Sequence, residues 1–406
     1  MKKLIILLIC LFLFSCAPKT KITKEKVPPP LIIPPKSAPQ IPVQTIKKPI
    51  LKKKVEIAPL YGKLLSKVEI STPFFNPTMG EEVGIYYTLS KDAKVEVNIY
   101  DPDSGLIRTM VSKEFVKAGE NAVIWDGKDM DGNVVPDEAY FFTIIAKDEK
   151  GHKEIYDPTT FSGGEEHDIT QAQINPQSGT INYRLPEMGR VNIRLGISGG
   201  PLLMTLVDWE PRLAGEVTEY WNGKDKDNLI NLREHPRFKM IITYFTLPQN
   251  SVIAYGNKNF DYLTYKETLA QGRPLKEKRG RIDPDVKLSS HYRLPRILDR
   301  SPKLIMSFPK TNTFDKQGIP LLTGKTLVHV ELDEKDKRFF QDMQFEICFF
   351  LDGDFYAEEE AGYSPYNWVW DTSQVKEGEH ILTVNLSSFK GQIGVLSRKV
   401  KVVHQE

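Results

Sequence analysis

The strongest sequence evidence for the fold is the segment Ala118-Gly119-Glu120-Asn121-Ala122-Val123-Ile124-Trp125-Asp126-Gly127-Lys128-Asp129-Met130-Asp131. It recurs with changes as Ala214-Gly215-Glu216-Val217-Thr218-Glu219-Tyr220-Trp221-Asn222-Gly223-Lys224-Asp225-Lys226-Asp227, 96 residues further along. Upstream, Tyr87-Thr88-Leu89 matches Tyr183-Arg184-Leu185 at the same offset. A repeat of this length is too long for a solenoid, but it suits an immunoglobulin-like β-sandwich of about 100 residues.

The residues around both copies follow the period of β-strands. Apolar residues alternate with other residues in Val83–Tyr87, Val95–Ile99 and Tyr140–Ala146. Asp103-Ser104-Gly105 and Asp131-Gly132-Asn133 supply hairpin turns. Helical periodicity is nearly absent, so the sequence predicts an all-β chain.

Residues 74–155 carry the pattern Asp-x-x-Ser-Gly, Ala-Gly-x-Asn-x-Val-x-Trp-Asp-Gly-x-Asp-x-x-Gly, Tyr-x-Phe and Ala-x-Asp-x-x-Gly. In this they resemble the immunoglobulin-like domain of the flagellar hook-capping (FlgD) family, which also occurs in other secreted bacterial proteins. The second unit, residues 169–255, departs from the pattern, because Asn222 replaces the Asp and Asn228 replaces the turn Gly. The resemblance implies the fold and no flagellar role.

The residues from Ser301 onward predict a third sandwich. Phe345–Leu351 alternates before the turn Asp352-Gly353-Asp354, and further strands are expected at Ile381–Leu386 and Val395–Val403. Pro365-Tyr366-Asn367-Trp368-Val369-Trp370-Asp371-Thr372, followed by Gly378-Glu379-His380-Ile381-Leu382-Thr383-Val384, resembles another bacterial immunoglobulin-like family.

The N-terminus reads as an export signal. Met1-Lys2-Lys3 precedes an apolar run from Leu4 to Phe14, which is too short to span a bilayer as a mature helix. Leu13-Phe14-Ser15-Cys16 resembles the lipobox of bacterial lipoproteins, which implies that Cys16 is lipidated; the alternative is an ordinary secretory signal with a coincidental cysteine. Ala17 in place of Asp favours the outer membrane under the family's sorting rule.

Charge is distributed unevenly along the chain. Residues 17–63 contain eleven Lys, two Glu and ten Pro, a local net charge of +9, whereas residues 64–406 carry −9. So many prolines favour an extended tether over a packed core. Its lysines are expected either to attract anionic lipid, cell-wall polymer or acidic domains, or simply to keep the tether soluble.

Residues 256–300 form a basic connector with tyrosines and no strand pattern, and a short helix is expected near Leu263–Gln271. We interpret this segment as an interdomain connector, either solvated or packed on a neighbouring domain, and favour a solvated linker over a binding segment. Its Lys, Arg and Tyr residues would also suit an acidic partner or a polysaccharide.

The sequence predicts no enzyme, because it contains no nucleophile paired with a base and no Gly-rich phosphate loop after a strand. We therefore expect no catalytic residue, no cofactor and no nucleic-acid partner. A metal site is also not expected. Asp126, Asp129 and Asp131 are the candidates for Ca²⁺, but they miss the EF-hand spacing and Lys128 lies among them.

The five tryptophans fall into two groups. Trp125, Trp221 and Trp370 occupy similar strand positions and are predicted to anchor cores. Trp209 and Trp368 do not fit that pattern, so they are the candidates for ligand contact.

The predicted division is a lipoprotein signal peptide (1–15), a Pro/Lys-rich tether (16–65), a FlgD-like domain (66–160), a diverged second one (161–255), the basic connector (256–300) and a C-terminal immunoglobulin-like domain (301–406). The function expected is a non-catalytic envelope lipoprotein that acts as a scaffold, adhesion or assembly subunit, with a membrane anchor and a protein partner. The alternatives are a carbohydrate-binding accessory lipoprotein with exposed aromatic residues, and an enzyme whose site lies in 256–300.

Overall fold

The computed structural model describes residues 62–259, 261–272, 282–292, 294–340 and 342–404. The signal peptide, Cys16 and all of the tether before Gly62 lie outside these residues. Across the described ranges the regular structure is mostly strand, and the strands form three two-sheet sandwiches. The prediction of an all-β chain with three sandwiches is confirmed.

The first sandwich contains eight strands that precede residue 157. They are β1 (Leu65–Ile70), β2 (Phe74–Phe75), β3 (Val83–Leu89), β4 (Ala93–Tyr100), β5 (Leu106–Val116), β6 (Gly119–Trp125), β7 (Glu138–Asp148) and β8 (Lys153–Tyr156). One sheet has the order β1-β3-β6, and the other contains β7-β4-β5, with β8 also on β7.

The second sandwich repeats this plan. Its strands are β9 (Glu166–Asp168), β10 (Ala172–Asn175), β11 (Thr180–Leu185), β12 (Gly189–Ile197), β13 (Leu202–Arg212), β14 (Gly215–Tyr220) and β15 (Phe238–Thr246). Strand β16 (Val252–Ala254) follows them in the chain and belongs to another sheet. The sheets are β10-β11-β14 and β13-β12-β15-β9. The 96-residue offset maps the starts of β4, β5 and β6 onto those of β12, β13 and β14, so the repeat predicted from sequence is a repeat of strands.

The third sandwich has the same core order. Its strands are β17 (Leu304–Ser307), β18 (Leu321–Leu322), β19 (Lys325–Leu332), β20 (Phe345–Leu351), β21 (Asp354–Glu359), β22 (Tyr366–Asp371), β23 (Gly378–Ser388) and β24 (Ile393–Val402). They form the sheets β17-β19-β22 and β18-β24-β23-β20-β21. By position in the sheet, β20, β21 and β23 correspond to β4, β5 and β7.

The described helices are short. The α-helices are α1 (Tyr262–Gly272) and α2 (Glu334–Phe340), and the 3-10 turns are Pro77–Met79, Pro158–Thr160, Leu232–Glu234 and Thr372–Gln374. Helix α1 confirms the helix expected near Leu263–Gln271, whereas α2 had no clear periodic signal. In the ranges that the coordinates describe, no helix has both the length and the apolar composition needed to span a bilayer.

Strand β16 returns to the first sandwich. Ile253 pairs with Ala139 of β7 on one side and with Phe74 of β2 on the other, so β16 extends the larger sheet of the first sandwich. The sequence placed residues 252–254 in the second unit, because they follow its last predicted strand. Their three buried apolar residues instead complete a sheet 100 residues earlier in the chain.

Each sandwich has its own apolar core between its two sheets. Trp125, Trp221 and Trp370 lie in the three separate cores, as predicted for core anchors. The inward residues of alternating strands supply the remaining core, which is the usual result of sheet-on-sheet packing.

Polar contacts join the second and third sandwiches. The Asn385 side chain accepts a hydrogen bond from the Leu202 amide and donates one to the Leu202 carbonyl, both at 2.8 Å. The Lys226 ammonium donates to the Val395 carbonyl at 2.8 Å. The Ser397 amide donates to Asp227 at 2.6 Å. These contacts hold β13 and its neighbouring loop against β23 and β24.

Truncation of Phe349 to Ala is expected to lower the free energy of unfolding by about 3–5 kcal/mol, because this ring is fully buried in the third core and its loss leaves a cavity. Phe389→Ala is the matched control, since Phe389 is 56% exposed, and it should change stability by less than about 0.5 kcal/mol. Urea titrations of both variants measure the difference. Equal effects would contradict the assignment of this core.

Candidate functional site

The repeated motif forms a closed loop after the Trp strand in both of the first two sandwiches. The Trp125 indole N–H donates to the Lys128 carbonyl at 3.0 Å, and the Trp221 indole N–H donates to the Lys224 carbonyl at 2.7 Å. A buried indole N–H usually has such an acceptor. The Trp-Asp/Asn-Gly-Lys pattern therefore serves to satisfy a core tryptophan.

The carboxylates of the calcium candidates accept hydrogen bonds or form ion pairs within the first sandwich and with the connector. Asp129 is buried, and its carboxylate accepts hydrogen bonds from the amides of Asp131 and Asn133 and from the Tyr265 hydroxyl, each at 2.9 Å. Asp126 is paired with the Arg108 guanidinium at 2.8 Å. These partners, and the cation beside Asp126, disfavour a role for the three carboxylates as Ca²⁺ ligands. Within the described residues, no group of three or more His, Cys, Asp or Glu side chains could hold a metal ion.

The substitution of Asn228 for the turn glycine is explained by backbone geometry. Gly132 has φ of 81° and Asn228, at the equivalent position, has φ of 60°. Asn is among the few residues that tolerate this left-handed conformation. The second unit therefore keeps the turn despite departing from the family pattern.

The connector packs on the first sandwich, so the solvated-linker interpretation is wrong for the residues that the structure describes. The Lys266 ammonium contacts Asp101 at 2.6 Å and the Tyr262 hydroxyl donates to Asp103 at 2.8 Å. Tyr262 and Tyr265 are buried. Basic and tyrosine residues that suggested an external acidic partner thus meet the acidic turn before β5 of the same chain.

A second part of the connector also packs on the outside of the first sandwich. The amides of Lys287 and Leu288 donate to the Asp157 carboxylate at 3.1 and 2.9 Å. Ile282 and Leu288 pack against an apolar group on the outside of the first sandwich, formed by Tyr100, Leu106 and Phe141. These residues cover part of the outer face of the larger sheet.

Glu138, Arg190 and Arg296 form a buried charged junction. Glu138, in β7, forms an ion pair with Arg190, in β12, and both side chains are at most 2% exposed. The Nε of Arg296, in the connector, lies 3.6 Å from the second Glu138 oxygen. The Arg190 guanidinium also lies over the Tyr292 ring, 5.0 Å from its centroid. Burial lowers the pKa of Arg190, and Glu138 opposes that shift. Three separate segments therefore meet at one buried acid.

Trp209 lies beside this junction, where a bulge in β13 places it. The first sandwich has the same bulge in β5, and Lys113 and Trp209 both have φ of 54° there. The bulge directs the Trp209 ring onto Phe245, 5.0 Å between centroids, in a cluster with Tyr292. Because Trp209 is only 4% exposed, the structure disfavours the prediction that it contacts a ligand.

Trp368 is placed differently. Its ring packs on Phe349 at 4.3 Å and stacks with Trp370 at 5.5 Å, so it belongs to the margin of the third core. Tyr356 lies against both tryptophans at 5.8 Å and is partly exposed. The aromatic surface near Trp368 is therefore formed by the strand β21 more than by Trp368 itself.

His291 is a buried histidine beside the junction. Burial, with a smaller contribution from the nearby charge of Arg190, lowers its pKa to about 3. Its ring makes an edge contact with Phe141 at 5.5 Å. At neutral pH the imidazole is therefore uncharged and packs as an aromatic group.

Sequence reasoning missed the junction. Glu138 was outside every motif, and Arg190 occupies the repeat position of Lys94, which is exposed. The available signal was the charge of the connector, because a basic segment and an acidic body in one chain favour mutual contact.

The fold defines a tandem protein of immunoglobulin-like sandwiches. Residues 75–150 match the family described as FlgD Ig-like domain, which confirms the resemblance predicted from the sequence. No match was found among curated proteins.

Solved structures that are similar include FlgD from P. aeruginosa, with 19% identity, a TM-score of 0.19, and coverage of 28% of this chain and 84% of that one. An endo-β-1,4-mannanase from Thermotoga petrophila has 14% identity and a TM-score of 0.20, with coverage of 47% of this chain and 30% of the mannanase. A Ca²⁺-stabilised, ice-binding adhesin of an Antarctic bacterium has 10% identity and a TM-score of 0.18, with coverage of 86% and 75%.

Replacement of Glu138 by Gln is expected to cost about 3–5 kcal/mol of unfolding free energy, because it leaves Arg190 buried without its counter-charge. The double variant Glu138→Gln/Arg190→Met should recover part of this loss. Glu216→Gln is the control, since Glu216 pairs with Arg184 on the exposed surface, and it should cost less than about 1 kcal/mol. Urea unfolding measures all three; a loss for Glu138→Gln no larger than that of the control would be incompatible with the buried pair.

Stability is expected to fall on acidification through His291. Its folded pKa of about 3 lies below the unfolded value of about 6.5, so the unfolded chain binds the proton first. The loss begins as pH drops below about 6.5 and continues toward 3, at up to about 1.4 kcal/mol per pH unit. His291→Asn removes this dependence, so the stability difference between the parent and the variant should narrow at lower pH. A difference that is constant between pH 7 and pH 4 would refute the assignment.

Proposed function

We propose that the chain is a non-catalytic, lipid-anchored scaffold, adhesion or assembly subunit of the bacterial cell envelope. The observation that carries this proposal is the way its polar residues are used. Trp, Asp and Lys of the repeated loop close that loop, and the charged residues at the junction hold segments together. Polar side chains that make such contacts hold the sandwiches in place, which favours a scaffold over an enzyme. The proposal rests on these contacts because a fold alone does not define a function.

Cys16 supplies the proposed anchor. Its place after Leu13-Phe14-Ser15 matches the lipobox pattern, and burial of acyl CH₂ groups contributes about 0.8 kcal/mol each to membrane attachment. Ala17 supports the outer membrane as the destination. The mature chain would then begin with a lipid and present the sandwiches to a protein partner.

The structure suggests one change to the proposed domain division. Because β16 and the connector pack on the first sandwich, the segments 66–160, 252–254 and the described part of 256–300 act together. We propose that they form one folding unit, with residues 301–404 forming the sandwich at which partners are met.

The carbohydrate-binding alternative requires aromatic rings with open faces. Trp209 is buried and Trp368 packs on Phe349 and Trp370, which favours the protein scaffold. A pull-down on insoluble polysaccharide decides between them, since a protein scaffold stays in the supernatant. The enzyme alternative has less support, because the described part of 256–300 is engaged with the first sandwich.

Replacement of Cys16 by Ser is expected to abolish lipid labelling and to move the protein from the membrane fraction to the soluble fraction, because the thiol is the acylated group. Radiolabelled palmitate incorporation and fractionation measure this. Replacement of Cys348, a buried thiol, by Ser is the control and should leave both readouts unchanged. Membrane attachment that persists without Cys16 would overturn the anchor.

A further inference from the structure

Strand β21 is an edge strand with exposed aromatic side chains. It ends its five-stranded sheet and pairs with β20 on one side only. Phe355 is 54% exposed and Tyr356 is 39% exposed. An edge of this kind presents unpaired backbone N–H and C=O groups, which can accept another strand.

Acidic residues predominate in the sequence around this edge, and Arg237 of the second sandwich reaches its start. Residues 339–375 contain eight Asp and Glu and no Lys or Arg. The β20–β21 register pairs Cys348 with Glu358, so that Glu346 and Glu358 lie on one face of the sheet, and Glu360 directly follows the strand. Desolvation, with repulsion from the two neighbouring carboxylates, raises the pKa of Glu346. Like charges directly across a strand pair are destabilising, so this edge is poorly suited to a second copy of itself.

The equivalent strands of the other two sandwiches, β5 and β13, are contacted by basic residues of the connector at or next to the strand. The turn before β5 receives Lys266 and Tyr262 of the connector. Strand β13 receives the Ser301 amide on Asp208 at 2.9 Å and the Arg296 guanidinium on the Asp208 carbonyl at 3.2 Å. In both sandwiches a segment rich in basic residues thus contacts an aspartate at or just before the strand.

This chain also contains an instance of strand addition. β16 arrives from a later part of the sequence and inserts its backbone between β2 and β7 of the first sandwich. The sandwich fold therefore accepts a short extended segment that is remote in sequence. At the start of β21, Arg237 of the second sandwich pairs with Asp354 at 2.7 Å and donates to the Gly353 carbonyl at 3.4 Å.

We propose that β21 is the docking edge of the protein and that it takes an extended segment of a partner protein as an added strand. The segment carries Lys or Arg opposite Glu358 and Glu360, and apolar side chains that cover Phe355 and Tyr356. This inference deepens the proposed scaffold function and rests on it, because it assigns the surface and the chemical class of the partner.

The test uses the full chain and a fluorescein-labelled peptide of about ten residues that alternates Val with Lys. Saturable binding is expected by fluorescence polarisation, together with amide hydrogen-exchange protection of residues 354–359. A Val/Glu peptide of the same length should not bind. Absence of binding by the Val/Lys peptide, or protection confined to other residues, would overturn the proposal.

Charge reversal locates the site. Glu358→Lys/Glu360→Lys is expected to weaken binding by at least about tenfold, whereas Glu149→Lys/Glu187→Lys, an equal charge change at exposed positions of the first two sandwiches, should alter it by less than about twofold. Equal weakening in both variants would show general attraction and refute a defined edge. Phe355→Glu is the second variant, for use if the first fails to give native circular dichroism, and it should also weaken binding.

Two other outcomes would assign a different occupant to this edge. A reversible dimer in sedimentation that Glu358→Lys/Glu360→Lys abolishes would make a second copy the occupant and would overturn the partner assignment. Retention on insoluble polysaccharide that Tyr356→Ala abolishes would do the same in favour of a glycan. The binding assay does not require Cys16, so its failure leaves the anchor experiment intact, and failure of the anchor leaves the edge intact.

Discussion

The burial of Arg190 against Glu138 is the interaction on which the arrangement of the first two sandwiches depends. Neither side chain is accessible to water, so each charge requires the other. Arg296 and Tyr292 complete the junction from the connector. An arrangement that separated these segments would leave a buried charge without a partner, which is costly. The pair therefore contributes to specifying one arrangement, whatever its net contribution to stability.

The same electrostatic principle acts over a longer range. The connector is basic, and its cations meet carboxylates of the first sandwich at Asp101 and Glu138. In the third sandwich, residues 339–375 contain eight Asp and Glu and no Lys or Arg. Charge that is structural at the connector is, in our proposal, used for recognition at β21.

The repeated residues are structural, and the residues that differ between repeats carry the distinctive features. Trp125 and Trp221 close their loops by the same hydrogen bond, whereas the bulge position holds Lys113 in one sandwich and Trp209 in the next. The two sandwiches therefore share the residues that their cores need, and they differ in the edge residues that contact other segments. This explains why the calcium candidates, which lie in the repeated loop, have loop-closing partners.

The sequence alone determined the sandwiches, since the 96-residue offset, the alternation of apolar residues and the turn glycines are local signals. It also identified the residues that resemble a family. The tertiary structure alone decided that β16 joins the first sandwich, that the connector is packed, and that Arg190 is buried where its repeat equivalent Lys94 is exposed. These features depend on contacts between residues about 50 to 160 positions apart, and periodicity and spacing carry no information about such partners.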